Sequence, residues 1–298
     1  MSEQENDNVI NMGGKPPVAT PPEADRINAA RQAIGNSEVP DAYLSQIVDD
    51  EFPVITDNVP LPSKGVFYPN KQTTIKIKHL TAEDENILTS ADLIRNGKVL
   101  DVLLDNAIID NSMSADDMVV GDRNAVLMYL RKEGYGDDYE VKIDCPECTE
   151  SFKTMVRISD IEPKNLEVAP DSMGEFMQKL PKSGWVVKFR MLTGKDENYL
   201  SQLSGKNKKG KKGVVYSNML TERFLLQIME VNGNRDKLQI KKAISNMPAI
   251  DSLFLREYMA EVEPGLKLES NYTCTNCSHN FDGDIPITPK LFWPNTKL

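Results

Sequence analysis

Hydrophobic and polar residues alternate along a short stretch early in the chain, and a similar stretch returns further on. Thr73 to Lys78 alternates Thr or Ile with Lys, a period of two that predicts a half-buried strand. The pattern returns from Val186 as Val-Val-Lys-Phe-Arg. An acidic capping box is predicted soon after each strand, by Thr81 with Asp84 and by Thr193 with Asp196. Both stretches therefore predict a strand, a short connection and the capped start of a helix.

Longer apolar patterns with helical spacing follow in each part of the chain. Val99 to Ile109 and Met219 to Val231 each place apolar residues on one helix face. A last helix is predicted to begin near Asp122 and near Asp251, where a carboxylate can cap free backbone amides. Strands are then expected at Tyr139 to Ile143 and at Leu266 to Thr273, each leading into a Cys-x-x-Cys pair.

Matching residues at constant spacing indicate an internal repeat. Leu80-Thr81 and Asp84-Glu85-Asn86 recur as Leu192-Thr193 and Asp196-Glu197-Asn198, a shift of 112 residues. At a shift of 129, Asp122, Tyr129, Cys145, Cys148, Phe152 and Ile158 match Asp251, Tyr258, Cys274, Cys277, Phe281 and Ile287. We therefore predict an α+β fold of two pseudo-symmetric repeats, each containing a strand, helices, a second strand and a Cys-x-x-Cys knuckle.

Four regions are predicted along the chain. Residues 61–165 form the first repeat, and residues 166–287 form the second, which includes a lysine-rich loop at 205–213. Residues 1–60 hold eleven acidic and three basic residues and two Pro-Pro pairs, so we expect a largely disordered acidic leader with docking segments. Residues 288–298 form a C-terminal aromatic tail.

Composition narrows the classes of partner. No apolar run reaches the ~20 residues needed to span a bilayer, and the start of the chain lacks the pattern of a secretory signal. We therefore expect an intracellular protein without membrane contact. The lysine-rich loop contains five lysines but no aromatic residue for base stacking, and residues 61–298 carry 34 acidic and 32 basic residues. A solvated surface loop is preferred, with contact to an acidic partner second.

The four cysteines of the chain are Cys145, Cys148, Cys274 and Cys277. Each Cys-x-x-Cys pair has the turn length of a zinc knuckle but supplies only two of the four ligands that structural zinc requires. If the two repeats pack together, the knuckles can meet and complete one structural Zn²⁺ site shared by both. Two alternatives remain open: reduced thiols that only hold tight turns, and a dithiol redox site.

No motif for catalysis is found. The chain lacks a Gly-x-Gly-x-x-Gly, a phosphate-binding loop, a His-Glu-x-x-His and a nucleophile elbow. His79 corresponds to Met191 in the other repeat, so no repeated catalytic role is implied. His279 follows Cys277 closely and could replace a ligand, but its counterpart is Glu150. We therefore predict that the protein is not an enzyme.

Residues of the first repeat resemble a known family. They are Leu61-Pro62-Ser63-Lys64-Gly65, Phe67-Tyr68-Pro69, Leu80-Thr81, Asp84-Glu85, Asp122-Arg123, Leu130-Arg131, Tyr135-Gly136 and Cys145-Pro146-Glu147-Cys148. Together they resemble the baseplate hub assembly proteins of T-even-like contractile-tailed bacteriophages, with a weaker echo in the second repeat. The resemblance implies a structural or assembly protein that contacts other tail baseplate or hub proteins. It also implies assembly in the host cytoplasm and a place in the virion tail baseplate.

Two apolar segments are predicted to dock on partners. Tyr43 and Leu44 belong to a small apolar face in the leader, and Phe292 and Trp293 belong to the aromatic tail. The tail has a second interpretation, in which it folds back onto the body. For the whole protein, a zinc-knuckle nucleic-acid-binding or regulatory protein is kept as the alternative function, although nucleic acid is not the expected partner.

Overall fold

A computed structural model describes residues 54–109, 113–204, 208–209, 215–216 and 218–292. The predicted leader segment around Tyr43 and Leu44, most of the lysine-rich loop, and Trp293 lie outside these residues. Within the part described, the protein combines α-helices with small antiparallel sheets, as the predicted α+β class requires.

The first part of the body contains two β-hairpins with four helices between them. Its elements are β1 (Thr56–Pro60), β2 (Thr74–Lys78), α1 (Ala82–Thr89), α2 (Ala91–Arg95), α3 (Val99–Ala107), α4 (Val120–Tyr135), β3 (Asp138–Asp144) and β4 (Ser151–Arg157). A short 3₁₀ turn at Ile158–Asp160 and β5 (Pro163–Lys164) connect it to the second part.

The second part follows a similar order with extra elements. They are β6 (Glu175–Lys179), β7 (Val186–Arg190), α5 (Gly194–Ser204), β8 (Lys208–Lys209), β9 (Val215–Tyr216), α6 (Met219–Gln227), β10 (Ile228–Val231), α7 (Lys237–Asn246), α8 (Ala249–Val262), β11 (Gly265–Leu266), β12 (Glu269–Thr273) and β13 (Asn280–Asp284). A 3₁₀ turn at Pro289–Phe292 ends the described chain.

Strand pairing places the two parts in matching registers. β1 pairs antiparallel with β2, so that Asp57 lies opposite Ile77. β6 pairs antiparallel with β7, so that Phe176 lies opposite Phe189. A third segment adds to each hairpin, through a single bridge from Ile77 to Ile108 in the first part and through β10 in the second.

The predicted capping box at Thr81 is confirmed, and at Thr193 the half made by the Asp196 carboxylate is present. The backbone N–H of Thr81 donates to Asp84 over 2.8 Å, and that of Thr193 donates to Asp196 over 2.9 Å. Each carboxylate also forms an ion pair with a basic residue at the end of the preceding strand. Lys78 pairs with Asp84, and Arg190 pairs with Asp196. Burial alone would raise the pKa of Asp196, but the ion pair and the threonine bonds outweigh it and lower that pKa.

A second repeated motif was missed in the sequence. Leu-Pro-x-x-Gly occurs at Leu61–Gly65 and at Leu180–Gly184, before β2 and β7 respectively. Both glycines have positive φ, 75° at Gly65 and 69° at Gly184, which explains the residue type. The interchange of the two middle residues, Ser-Lys in one and Lys-Ser in the other, hides the match.

Asp122 and Asp251 are fully buried and bind these turns. Asp122 accepts the backbone N–H of Ser63 at 2.8 Å and the hydroxyl of Tyr68 at 2.7 Å. Asp251 accepts the backbone N–H groups of Lys182 and Ser183 at 2.7 and 2.9 Å. The prediction that these carboxylates cap their own helices was wrong: each joins its helix to the Leu-Pro-x-x-Gly turn of the same part.

Two predicted element boundaries are also corrected. The pattern from Met219 to Val231 predicted one helix, but Ile228–Val231 leaves the helix to pair with β7. The predicted strand from Leu266 to Thr273 is divided, because Gly265–Leu266 pairs with β5 whereas Glu269–Thr273 pairs with β13. In both places, pairing with a distant strand overrides the local pattern.

The two parts interlock through backbone contacts. The N–H of Val120 donates to the carbonyl of Leu192 over 3.0 Å, and the N–H of Gly194 donates to that of Met118 over 2.9 Å. At Gly121, an added Cβ would lie 1.7 Å from the carbonyl oxygen of Pro264, so only glycine allows this approach. The buried side chains of both parts then form one hydrophobic core. Among the described helices, none has the length and apolar character needed to cross a membrane.

Candidate metal centre

Each Cys-x-x-Cys pair lies in the loop of a β-hairpin. Cys145 directly follows β3, and β4 begins at Ser151. In the loop, the N–H of Cys145 donates to the carbonyl of Glu150 over 3.0 Å, and the N–H of Thr149 donates to the carbonyl of Cys145 over 2.9 Å. Thr149 has a φ of 60°, which turns the chain back toward β4. The loop thereby folds both cysteines toward one side.

The second loop has the same construction. Cys274 directly follows β12, and its N–H donates to the carbonyl of His279 over 2.9 Å. The N–H of Ser278 donates to the carbonyl of Cys274 over 3.0 Å, and Ser278 has a φ of 59°. An additional N–H, from Asn276, points at the sulfur of Cys274 over 3.4 Å. Backbone donors to sulfur favour the thiolate form, which is the metal-binding form.

The two loops bring the four sulfurs together. Cys145 Sγ lies 3.7 Å from Cys277 Sγ, and Cys148 Sγ lies 3.7 Å from Cys274 Sγ. All four sulfur atoms lie within 4.8 Å of one another. Each close contact therefore joins one loop to the other, across 132 and 126 positions of the sequence.

These distances fit a metal and not a disulfide. A disulfide needs sulfurs about 2.05 Å apart. Tetrahedral zinc with Zn–S bonds of about 2.3 Å places its sulfurs roughly 3.8 Å apart. The four-cysteine cluster could thus hold one metal ion. Cys145 and Cys274 are buried, Cys148 is half-buried and Cys277 is exposed, so the cluster lies at the edge of the core.

Electrostatics in the cluster require a cation if all four sulfurs are to ionise. The backbone amide of Glu150 lowers the pKa of Cys148 to about 6. The amide of His279 acts in the same sense on Cys277, but desolvation and the neighbouring sulfurs outweigh it and raise the pKa of Cys277 to about 12. Ionisation of one thiol therefore makes ionisation of its neighbour less favourable. A bound divalent cation would offset this repulsion between thiolates.

Apolar contacts support the approach of the two hairpins. Phe152 on β4 and Phe281 on β13 meet edge to face, with ring centroids 6.3 Å apart at an angle of 87°. These two residues correspond at the shift of 129. On β3, the other strand of the first hairpin, the hydroxyl of Tyr139 donates to the carbonyl of Pro286 over 2.8 Å. The hairpins are thus held near each other by packing as well as by the cysteines.

The remaining predicted site residues are placed as follows. The ring of His279 stacks on Phe281 at 5.9 Å and does not join the sulfur cluster. Phe292 is 1% exposed and packs against Tyr135, with ring centroids 6.4 Å apart. In this arrangement the tail folds back onto the body, so docking through Phe292 would require its release. The docking roles of Tyr43, Leu44, Phe292 and Trp293 stay predictions.

Comparison with known proteins identifies the family. A family model described as T4 bacteriophage base plate protein matches residues 61–293, which is more than half of the chain. This chain belongs to that family. The resemblance noted in the first repeat is therefore confirmed, and the match also covers the second part of the body. Comparisons with curated proteins and with solved structures found no match.

Proposed function

We propose that this base plate family protein is a structural or assembly component of a bacteriophage contractile tail baseplate. It acts through contacts with other baseplate or hub proteins and carries out no catalysis. The observation that supports this role is the family match over residues 61–293. Assembly takes place in the host cytoplasm, and the protein is incorporated into the tail baseplate of the virion.

The body is proposed to consist of two pseudo-symmetric repeats, residues 61–165 and 166–287. Matching strand registers, the two capping boxes and the two Leu-Pro-x-x-Gly turns support this division. The acidic leader at 1–60 and the tail at 288–298 flank these repeats, except that the last leader residues, Thr56–Pro60, form β1 and pair with β2 of the first repeat. We propose docking segments in both, because an apolar segment can order on a partner, and Phe292 would first have to leave its buried position against Tyr135.

One structural Zn²⁺ ion is proposed to join the repeats. Cys145 and Cys148 would hold it from the first repeat, and Cys274 and Cys277 from the second. Four thiolates satisfy the ligand preference of structural zinc and leave no position for a substrate. The ion would stabilise the contact between the hairpins, because separating them would remove two of its four ligands.

Elemental analysis of the purified full-length protein tests the metal assignment. After dialysis against metal-free buffer, we expect wild type to hold one zinc per chain more than a variant with all four cysteines changed to Ala. Equal zinc contents in the two proteins, or a wild-type protein whose stability does not change when its zinc is removed, would contradict the shared site.

A stop codon in the gene of the phage that encodes this chain tests the baseplate role. We expect infected cells to accumulate heads without complete tails, and expression of the wild-type chain in trans to restore tails. Complementation with the four-cysteine variant then separates the two proposals: failure of that variant alone ties assembly to the metal site. Normal tails without any functional copy would rule out the baseplate role.

The nucleic-acid alternative makes a different prediction. It requires retention on DNA that weakens steeply as salt is added, because cation release accompanies phosphate binding. We expect no such retention by the purified protein. Retention that disappears when the lysines of 205–213 are replaced would favour the alternative.

A further inference from the structure

A second group of metal-ligating side chains lies away from the cysteines. Asp57 comes from β1, His79 directly follows β2, and Glu133 comes from the last turns of α4. Their nearest ligand atoms all lie within 4.8 Å of one another. Among the described residues, this is the second cluster with such spacing, and the sequence gives little signal for it because its members are scattered over 77 positions.

Hydrogen bonds hold the Asp57 carboxylate in place. His79 Nε2 lies 2.6 Å from Asp57 Oδ2, and the hydroxyl of Tyr129 donates to the same oxygen over 2.8 Å. Tyr129 and Glu133 are four positions apart on α4 and therefore share one face of the helix. Carboxylates that bind metals are commonly held by such outer hydrogen bonds. The side chains of His79 and Asp57 remain 27% and 38% exposed, which leaves a path for an ion from solvent.

In the second part of the body, the equivalent positions hold apolar residues that pack in the core. By strand register and the two repeat shifts, Asp57, His79 and Glu133 correspond to Phe176, Met191 and Val262. All three are buried in the core. Tyr129 corresponds to Tyr258, whose ring meets Phe189 edge to face at 6.0 Å.

Solvent exposure explains why the first part has polar residues here, but not which ones. Phe176 is covered by Phe67, with ring centroids 6.0 Å apart, whereas Asp57 and His79 reach solvent. An exposed position needs only a polar side chain. Here all three positions carry side chains that ligate metals, and their ligand atoms converge.

We propose that Asp57, His79 and Glu133 form a second divalent transition-metal site, distinct from the four cysteines. One imidazole and two carboxylates suit Zn²⁺ or Mn²⁺, and three protein ligands leave coordination positions for water. The ion would replace the hydrogen between His79 Nε2 and Asp57 Oδ2, so the imidazole must present that nitrogen unprotonated. The two atoms would also move from 2.6 Å apart to about 3 Å or more, as bonds of ~2.0–2.1 Å to one ion require. Tyr129 would act as a positioning residue through its bond to Asp57.

Zn²⁺ added to full-length protein that already holds one zinc at its cysteines tests this site. Isothermal titration calorimetry should show one further ion per chain. His79→Ala and Glu133→Gln should each weaken this second event at least about tenfold, because each removes a ligand. Mn²⁺ followed by electron paramagnetic resonance should report the same site, since this harder ion does not compete for thiolate ligands.

His279→Ala is the matched control, because it removes the only other histidine of the chain. It should leave the second event unchanged. Glu133 is exposed, so Glu133→Gln is expected to fold normally even if His79→Ala does not. Thermal unfolding with and without added metal provides a second readout: the ion should raise the midpoint in wild type and in His279→Ala but not in Glu133→Gln. No second ion in wild type, or unchanged binding in either ligand variant, would show that the cluster is only a hydrogen-bonded link between β1 and α4.

Discussion

The proposed shared zinc predicts that the two knuckles contribute to stability as one unit. We consider two double variants, Cys145→Ala with Cys148→Ala and Cys274→Ala with Cys277→Ala, together with the quadruple variant. Each double variant removes half of the ligands, and two thiolates cannot replace a four-ligand structural site. Either double variant should therefore lose the whole contribution of the ion.

The size of that contribution follows from the loop that the ion closes. Cys148 and Cys274 are 126 positions apart, and they lie in different hairpins. Treated as a cross-link, closure of a loop of this length removes denatured-state entropy worth about 5 kcal/mol at 25 °C. The free energy of unfolding should thus fall by about 5 kcal/mol in either double variant and by the same amount in the quadruple variant. Two independent knuckles would instead give losses that add up in the quadruple variant.

Guanidinium unfolding monitored by circular dichroism measures these free energies, with zinc present and with Glu133→Gln in every protein so that the second site does not contribute. Addition of a strong chelator should bring wild type to the level of the variants and leave the quadruple variant unchanged. Alanine at Cys145 and Cys274 also removes buried atoms, and the chelated wild type corrects for this packing loss. Two results would refute a site shared between the hairpins. One is that the losses of the two double variants add up in the quadruple variant, and the other is that chelator leaves the unfolding midpoint of wild type unchanged.

Three further predictions follow from the packing. Asp196→Asn should lose about 2 kcal/mol at neutral pH, because its charged hydrogen bonds weaken. That loss should shrink as pH falls through the lowered pKa of Asp196, where the wild-type carboxylate gains a proton; a pH-independent difference in urea unfolding would contradict it. Gly121→Ala should lower the free energy of unfolding by at least about 3 kcal/mol, because the added Cβ clashes with backbone. In the control Gly134→Ala, in the same helix, the added Cβ meets only the movable Leu80 side chain, so its stability should stay within about 1 kcal/mol of wild type. Equal melting temperatures for the two variants would contradict the close approach at Gly121. Phe292→Ala should cost about 3 kcal/mol, measured by thermal unfolding, whereas unchanged stability with impaired tail assembly would favour docking by the tail.

Local features of the fold were predictable because their causes are local. The capping interactions at Thr81 and Thr193 need only a three-residue offset, and the carboxylate bond to the backbone N–H is present at both. The strand predicted at Thr73 to Lys78 occupies Thr74–Lys78, since its alternation matches the period of a strand with one buried face. In the same way, the spacing within each Cys-x-x-Cys pair predicted a knuckle loop.

Long-range pairing accounts for what the sequence did not reveal. Ile228–Val231 has the apolar pattern of a helix end, and only the presence of β7 beside it makes it a strand. Asp122 and Asp251 occupy the first turns of their helices, yet their hydrogen bonds go to turns more than fifty residues away. No short pattern of residues encodes such partners, because hydrogen bonding depends on distance in space.

The sequence by itself predicted two similar parts, and it determined that each Cys-x-x-Cys pair lies in a tight loop. Only the tertiary structure decided that the four sulfurs lie within 4.8 Å, that Phe292 is buried, and that Asp57, His79 and Glu133 converge. The physical reason is that residue spacing sets which way a side chain leaves its own helix or strand. Which side chain it then meets depends on how the core packs the elements together.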